Sequence, residues 1–152
     1  MYYFGVAVDA SKREVRIAGI DEDALDAKPL LRSLVYGDID LPSALRDLHA
    51  AVASTLLALP AHAVVVRRMD PSPRSTLRTA TYDRLLAEGA ILAAARESVA
   101  DVLHLSGAEI GKRVGLSKDE ANARAKLLLG SHNAPMKWAE ATMAASCIAG
   151  AN

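Results

Sequence analysis

The chain reads as a mixed α/β sheet of five strands flanked by helices. Three observations predict this. Three strand-like runs precede the first helical signal, strand and helix signals then alternate, and helical segments close the chain. A meander followed by strands reached through helical crossovers gives a sheet with both antiparallel and parallel pairs. Taken in order, residues 2–9 form an apolar run ending in Asp9 and read as the first strand. Residues 15–20 alternate loosely after the turn-like Ala10, Ser11, Lys12 and Arg13, which predicts a hairpin. Residues 30–36 supply a third strand, ended by Gly37 and Asp38. Asp40 is placed to cap a helix through Leu59, with Pro42 tolerated in its first turn. Leu45, Leu48, Val52, Leu56 and Leu59 repeat at the three-and-four spacing of one buried face. Pro60 stops that helix, and the β-branched run over 63–66 suits a central strand. A Pro-containing loop over 70–74 leads to a helix over 75–97. Residues 99–105 supply the fifth strand, and helices are predicted over 107–113, 117–129 and 135–149. No internal repeat or linker interrupts this order, so 1–152 is read as one domain.

Composition narrows the function classes. Of 152 residues, 51% are apolar and 24% charged, as in a globular chain rather than a disordered one. Aromatic residues make up only 4%, and alanine fills much of the apolar share, so close helix packing is expected. The formal net charge is zero. Neutralising phosphates supplies most non-specific nucleic-acid affinity, so any such binding here must rest on a local basic patch. The single Cys147 excludes a disulfide framework, and the four scattered histidines have no zinc-ligand spacing. No apolar run reaches membrane-spanning length, and the N-terminus enters a strand without a signal-peptide pattern. A cytoplasmic protein without a membrane partner is expected.

The residues that carry chemistry collect at element ends. Asp9 ends the first strand, Arg67 and Arg68 follow the fourth, and Lys137 and Glu140 sit three apart on the last helix. Strand-end carboxylates that meet helix carboxylates can hold hard cations. A lone strand-end Asp is more often a turn residue. The Lys137–Glu140 spacing also suits a solvent-facing ion pair worth about 0.2–0.5 kcal/mol. Arg67, Arg68, Arg74 and Arg78 cluster where open α/β sheets bind ligands, as a phosphate-contact surface or as a solvated face partly cancelled by Asp70 and Asp83. Glu88 is either a relocated ligand or, more commonly for a mid-helix carboxylate, simply solvated. Trp138 could stack on a base or a cation, but core or interface packing suits it better. Residues 108–124 also read as helix-turn-helix. Gly111 lets two helices approach, Gly115 makes the turn, and Ser117 with Glu120 completes a capping box. Lys118, Asn122 and Arg124 would then face a major groove. The α/β context weighs against an independent module of that kind, which ordinarily has supporting helices of its own.

Several of these stretches together resemble the RuvC-type Holliday-junction resolvases of the ribonuclease H-like superfamily. Phe4-Gly5-Val6-Ala7-Val8-Asp9 resembles their opening strand. Arg74-Ser75-Thr76-Leu77-Arg78, continuing to the Ala-rich 88–95, resembles the helix after their fourth strand. Ile110 to Glu120 resembles their segment of two lysines around a glycine loop, and Glu140 to Ala145 their final helix. The resemblance implies a ribonuclease H-like fold, branched or duplex DNA as partner, a homodimer paired through the helix over 75–97, and Mg²⁺ as cofactor in active members. It further implies phosphate contacts from Lys112, Arg113, Lys118, Arg74 and Arg78.

The family pattern has four metal-binding acids, of which this chain retains Asp9 and Glu140. The acid ending the fourth strand is replaced by Arg67, or by Arg68 after a one-residue shift of register. The first of the two final-helix acids is replaced by Lys137. Two fewer anions weaken Mg²⁺ binding and two added cations repel it, each unit-charge pair being worth about 4 kcal/mol near 4 Å at an effective dielectric of about 20, before desolvation. The expectation is a nucleic-acid-binding domain without a cofactor and with a degenerate nuclease site, in which Arg67 and Lys137 pair with Asp9 and Glu140. The alternatives are an active Mg²⁺-dependent endonuclease, with Asp70 or Glu88 joining Asp9 and Glu140, and a protein-interaction subunit without a nucleic-acid role.

Overall fold

The computed structural model describes residues 1–70 and 79–150. The three leading strands, β1 (Tyr2–Asp9), β2 (Glu14–Asp21) and β3 (Leu30–Val35), form the expected antiparallel meander. Arg13 makes the first turn at φ 47°, and its guanidinium donates to the carbonyls of Gly37 and Ile39, 2.9 Å each, latching the hairpin to the end of the third strand. Helix α1 (Leu41–Ala58) begins at Asp40, whose carboxylate accepts from the Ser43 amide. β4 (Ala61–Arg67) follows and pairs parallel with β1. Helix α2 (Thr79–Ser98) leads to β5 (Asp101–Leu105), which pairs parallel with β4. The sheet order is β3-β2-β1-β4-β5. Three helices close the chain: α3 (Gly107–Arg113), α4 (Lys118–Leu128) and α5 (Met136–Ala149).

Two boundaries differ from expectation for identifiable reasons. β4 continues past the valine run so that Arg67 is a strand residue, its backbone paired opposite Leu105. β5 begins at Asp101 rather than at residue 99, because the Val99 amide still bonds the Ala95 carbonyl at the end of α2. The expected start of α2 at 75 lies outside the described residues.

The alternation of side chains along each strand sorts the core onto two faces. Phe4, Val6 and Val8 of β1, Val15 and Ile17 of β2, and Val64 and Val66 of β4 face α1 and α2, where Leu48, Val52, Leu56 and Ile91 cover them. The opposite face carries Gly5 and Ala7 of β1, Ala18 of β2, and Ala63 and Val65 of β4, covered chiefly by the Ala-rich α5. That helix is buried along most of its length because α3 and α4 cover its outer side. Its approach to the sheet depends on one residue. A Cβ on Gly5 would lie 1.9 Å from the Ala141 carbonyl oxygen and 2.4 Å from the Ala145 amide nitrogen. No helix among the described residues is long and apolar enough to cross a membrane.

Candidate functional site at the ends of the parallel strands

Val6 stands opposite Val66 in the parallel pair, so the C-terminal ends of β1 and β4 emerge side by side. The close seating of α5 over Gly5 brings its first turn to the same edge. A cleft opens there, lined by Asp9, Ser11, Met69, Thr81, Arg84 and Lys137. The Asp9 carboxylate accepts from the Ser11 hydroxyl at 2.7 Å. Lys137 donates to Glu140 at 2.8 Å, with the lysine 26% and the glutamate 12% exposed. Lys137 and Glu140 therefore form a half-buried pair rather than the solvated pair that their spacing alone suggests.

Arg67 does not pair with Asp9. It follows Ala63 and Val65 on the α5 side of the sheet and is almost fully buried, with its side chain 4% exposed. Its guanidinium donates from Nη2 to Asp70 at 2.7 Å and from Nη1 to the Arg68 carbonyl. Asp70 also accepts from the Gly107 amide at 2.9 Å and from Lys118 Nζ at 3.3 Å. Burial alone would raise the Asp70 carboxyl pKa, but the bond and charge of Arg67, aided by Gly107 and Lys118, outweigh it and lower the pKa below its ordinary value. Gly107 is required for this closure, since a Cβ there would meet Arg67 Nη2 at 2.4 Å and Lys118 Cδ at 2.7 Å. Arg68 turns outward and pairs with Glu109 at 2.8 Å.

A third polar cluster lies on the other face. Glu88 is fully buried, not solvated. One of its oxygens accepts from Arg84 Nε at 2.8 Å, and the other lies 2.7 Å from His104 Nε2 of β5. Arg84 also reaches the Arg67 carbonyl at 3.4 Å. The cation on the α2 side of the Asp9 cleft is therefore Arg84, a residue the sequence reading passed over. Its signal was present: the buried positions Ala87, Ile91, Ala94 and Ala95 define a stripe onto which 84 and 88 also fall by helical spacing.

The residues expected to contact nucleic acid divide. Lys118 joins Arg67 at the strand ends through Asp70. Arg113 instead lines a different cleft, with Ile20, Arg124 and Gly150. Ile20 pairs with Tyr3, six residues down β1 from Asp9, so Arg113 lies at the opposite end of the sheet. Lys112 is exposed on the last turn of α3. Arg74 and Arg78 lie outside the described residues. The 108–124 segment has the turn its sequence predicted: Gly115 takes φ 70°, and Ser117 and Glu120 complete the capping box. It packs against α5 as part of the α/β fold. Trp138 stacks with a cation rather than joining the core, the Arg16 guanidinium lying 5.2 Å from its ring centroid.

Hard divalent ions need several converging oxygens, and no three His, Cys, Asp or Glu side chains converge on a possible ion position among the described residues. Asp9 and Glu140 remain, each already engaged by a neighbour. Asp70 is held by two cations, and Glu88 is sealed on the opposite face.

Sheet order, strand directions and crossovers define the ribonuclease H-like class of fold, in the form seen in the RuvC resolvases. Two solved structures make the likeness specific. The chain superposes on Thermus thermophilus RuvC with a TM-score of 0.72 and 19% identity, over 97% of this chain and 92% of that one. It matches T. thermophilus RuvC in complex with a Holliday-junction substrate at the same TM-score and 21% identity, with the same coverage. No family model matches the sequence, and no curated protein does.

Proposed function

We propose that this protein binds branched or duplex DNA on a RuvC-like scaffold whose nuclease chemistry has been lost. The observation that carries the reading is the state of the strand-end acids. Asp9 is bonded by Ser11, Glu140 by Lys137, and the position that ends β4 holds the buried Arg67, which pairs with Asp70. Cleavage through two metal ions needs anionic oxygens that are free to bridge them. Here Glu140 and Asp70 are held by cations, and Asp9 takes a hydroxyl bond on one oxygen. Arg67, Arg68 and Lys118 gather at the same edge, and the similarity to a RuvC solved with a Holliday junction supports DNA as the partner.

The test is titration with Mg²⁺ or Mn²⁺, followed by binding and cleavage assays on a four-way DNA junction. Salt-dependent junction binding without metal-dependent cleavage is the expected result. Cleavage that disappears in Asp9→Asn would establish a rebuilt nuclease site instead. Absence of junction binding would favour a protein-interaction role.

A second feature favours self-association. Tyr82, Leu85 and Leu86 on α2 are exposed at 51%, 41% and 48%. Gly89, one turn on, has nothing within 4 Å of the position its Cβ would take. An apolar stripe with a small residue suits helix-to-helix contact with a second copy. Sedimentation equilibrium of wild type and Leu86→Glu tests this: a dimer is expected for the first and a monomer for the second.

A further inference from the structure

The Asp70 cluster has the donor set of a phosphate site. Arg67 offers a buried guanidinium that is held from behind by the Arg68 carbonyl. The Gly107 amide is placed by the start of α3, where Ser106 and Glu109 form a capping box. Lys118 adds an ammonium from the start of α4. One guanidinium N–H, an amide and an ammonium converging on one point are donors suited to an oxyanion. Among the described residues the point is filled by a carboxylate, Asp70, with one oxygen taking Arg67 and Lys118 and the other taking Gly107.

The asymmetry of burial shows which partner can leave. The Arg67 side chain is 4% exposed, whereas that of Asp70 is 34% exposed and covers the cluster from the solvent side. Among the described residues the hydrogen bonds of the Asp70 side chain all go to these three donors, so rotation of one short side chain would release them together. The cluster carries two cations against one anion, a net charge of +1. The neighbouring Arg68–Glu109 pair cancels itself.

We propose that Arg67, Lys118 and the Gly107 amide form a seat for one tetrahedral phosphate group, occupied in the free protein by Asp70 as an internal stand-in. A backbone phosphate of bound nucleic acid takes the seat and displaces the carboxylate. The source of the phosphate rests on the DNA-binding reading above; the seat itself does not.

Two measurements separate these claims. The first is melting of Asp70→Asn in sodium sulfate and in sodium chloride at matched ionic strength, alongside an Asp70→Asn, Lys118→Ala double variant. Sulfate should raise the melting temperature of the single variant by several degrees beyond its effect on the double variant, because a ligand that binds only the folded state stabilises it. Equal effects on both variants would overturn the seat. The second is anisotropy of a labelled four-way junction across a salt series. Asp70→Asn should bind about tenfold tighter than wild type, with a salt slope steeper by about one. Asp70→Ser, too short to reach the seat, should repeat this gain. Asp119→Asn makes the same charge change beside Lys118 and should gain less than about twofold. If Asp70→Asn gains no more than Asp119→Asn, displacement by nucleic acid is overturned. If no variant binds the junction while the sulfate effect persists, the seat stands and the DNA source falls.

Discussion

The two faces of the sheet solve the packing problem in opposite ways. Towards α1 and α2 the core is made of branched and aromatic side chains, Phe4, Val6, Ile17, Leu48, Val52 and Ile91. Towards α5 it is largely Ala7, Ala18, Ala63, Ala141 and Ala144, with Gly5 under the helix. The first face keeps its helices at the usual distance and gains stability from apolar area. The second brings a helix backbone onto a strand backbone and gains from close contact. Loss of volume should therefore be most harmful on one face and gain of a single methyl group on the other. The candidate site depends on the second arrangement, because α5 delivers Lys137 and Glu140 to the end of β1.

The largest effect is expected from Gly5→Ala. Its Cβ would fall 1.9 Å from a backbone oxygen, which no rotamer change can relieve. A loss of more than about 3 kcal/mol in urea unfolding, with failure to fold as the extreme, is expected. A loss under about 1 kcal/mol would mean that α5 does not sit this close.

Glu88→Gln comes next and breaks the contrast from within, since it places an uncompensated charge on the aliphatic face. Removing the anion leaves Arg84 buried at 15% exposure, and a loss of about 3 kcal/mol is expected. A double-mutant cycle with Arg84→Met should recover part of it. Full additivity would show that the two side chains are not coupled.

Leu48→Ala should cost about 2.5 kcal/mol through the cavity it leaves in the aliphatic face. Ala144→Gly on the other face should cost about 1 kcal/mol, mainly through helix propensity. Equal losses in urea unfolding would contradict the difference between the faces.

The smallest effect concerns Asp70 and pH. Despite burial, its folded pKa is held below the ordinary aspartate value, chiefly by Arg67, so its contribution to stability is fully present above that ordinary value. The contribution is lost as pH falls through the folded value. Between pH 6 and pH 3 the stability of wild type should therefore fall more than that of Asp70→Asn, and parallel curves would remove Asp70 from the account.

Much of the fold was legible because its signals are local. The apolar run of β1, the turn after it and the loose alternation of 15–20 predict the hairpin, Asp40 predicts the start of α1, and Ser117 with Glu120 predicts the start of α4. Each is a contact between residues close in sequence, so residue type and spacing suffice to find it. Asp9 and Lys137, which line one cleft, were brought together in the sequence by the family resemblance rather than by spacing.

Partnership was not legible. Arg67 could be placed at the end of β4 from sequence, but its choice of Asp70 over Asp9, which alternates onto the same face of the sheet, depends on how near each carboxylate lies in space. It also depends on the space left by Gly107, forty residues away. Glu88 lies on a helical stripe that sequence can trace, yet its burial requires His104 from a strand sixteen residues later. Arg113 and Lys118 are five apart in the chain and lie at different ends of the sheet, because a turn at Gly115 separates them. The sequence by itself determined the elements and their order, since these depend on residue identity and short-range geometry. Tertiary structure alone decided which charge meets which, because an ion pair depends on distance and burial in space, and neither is a property of position along the chain.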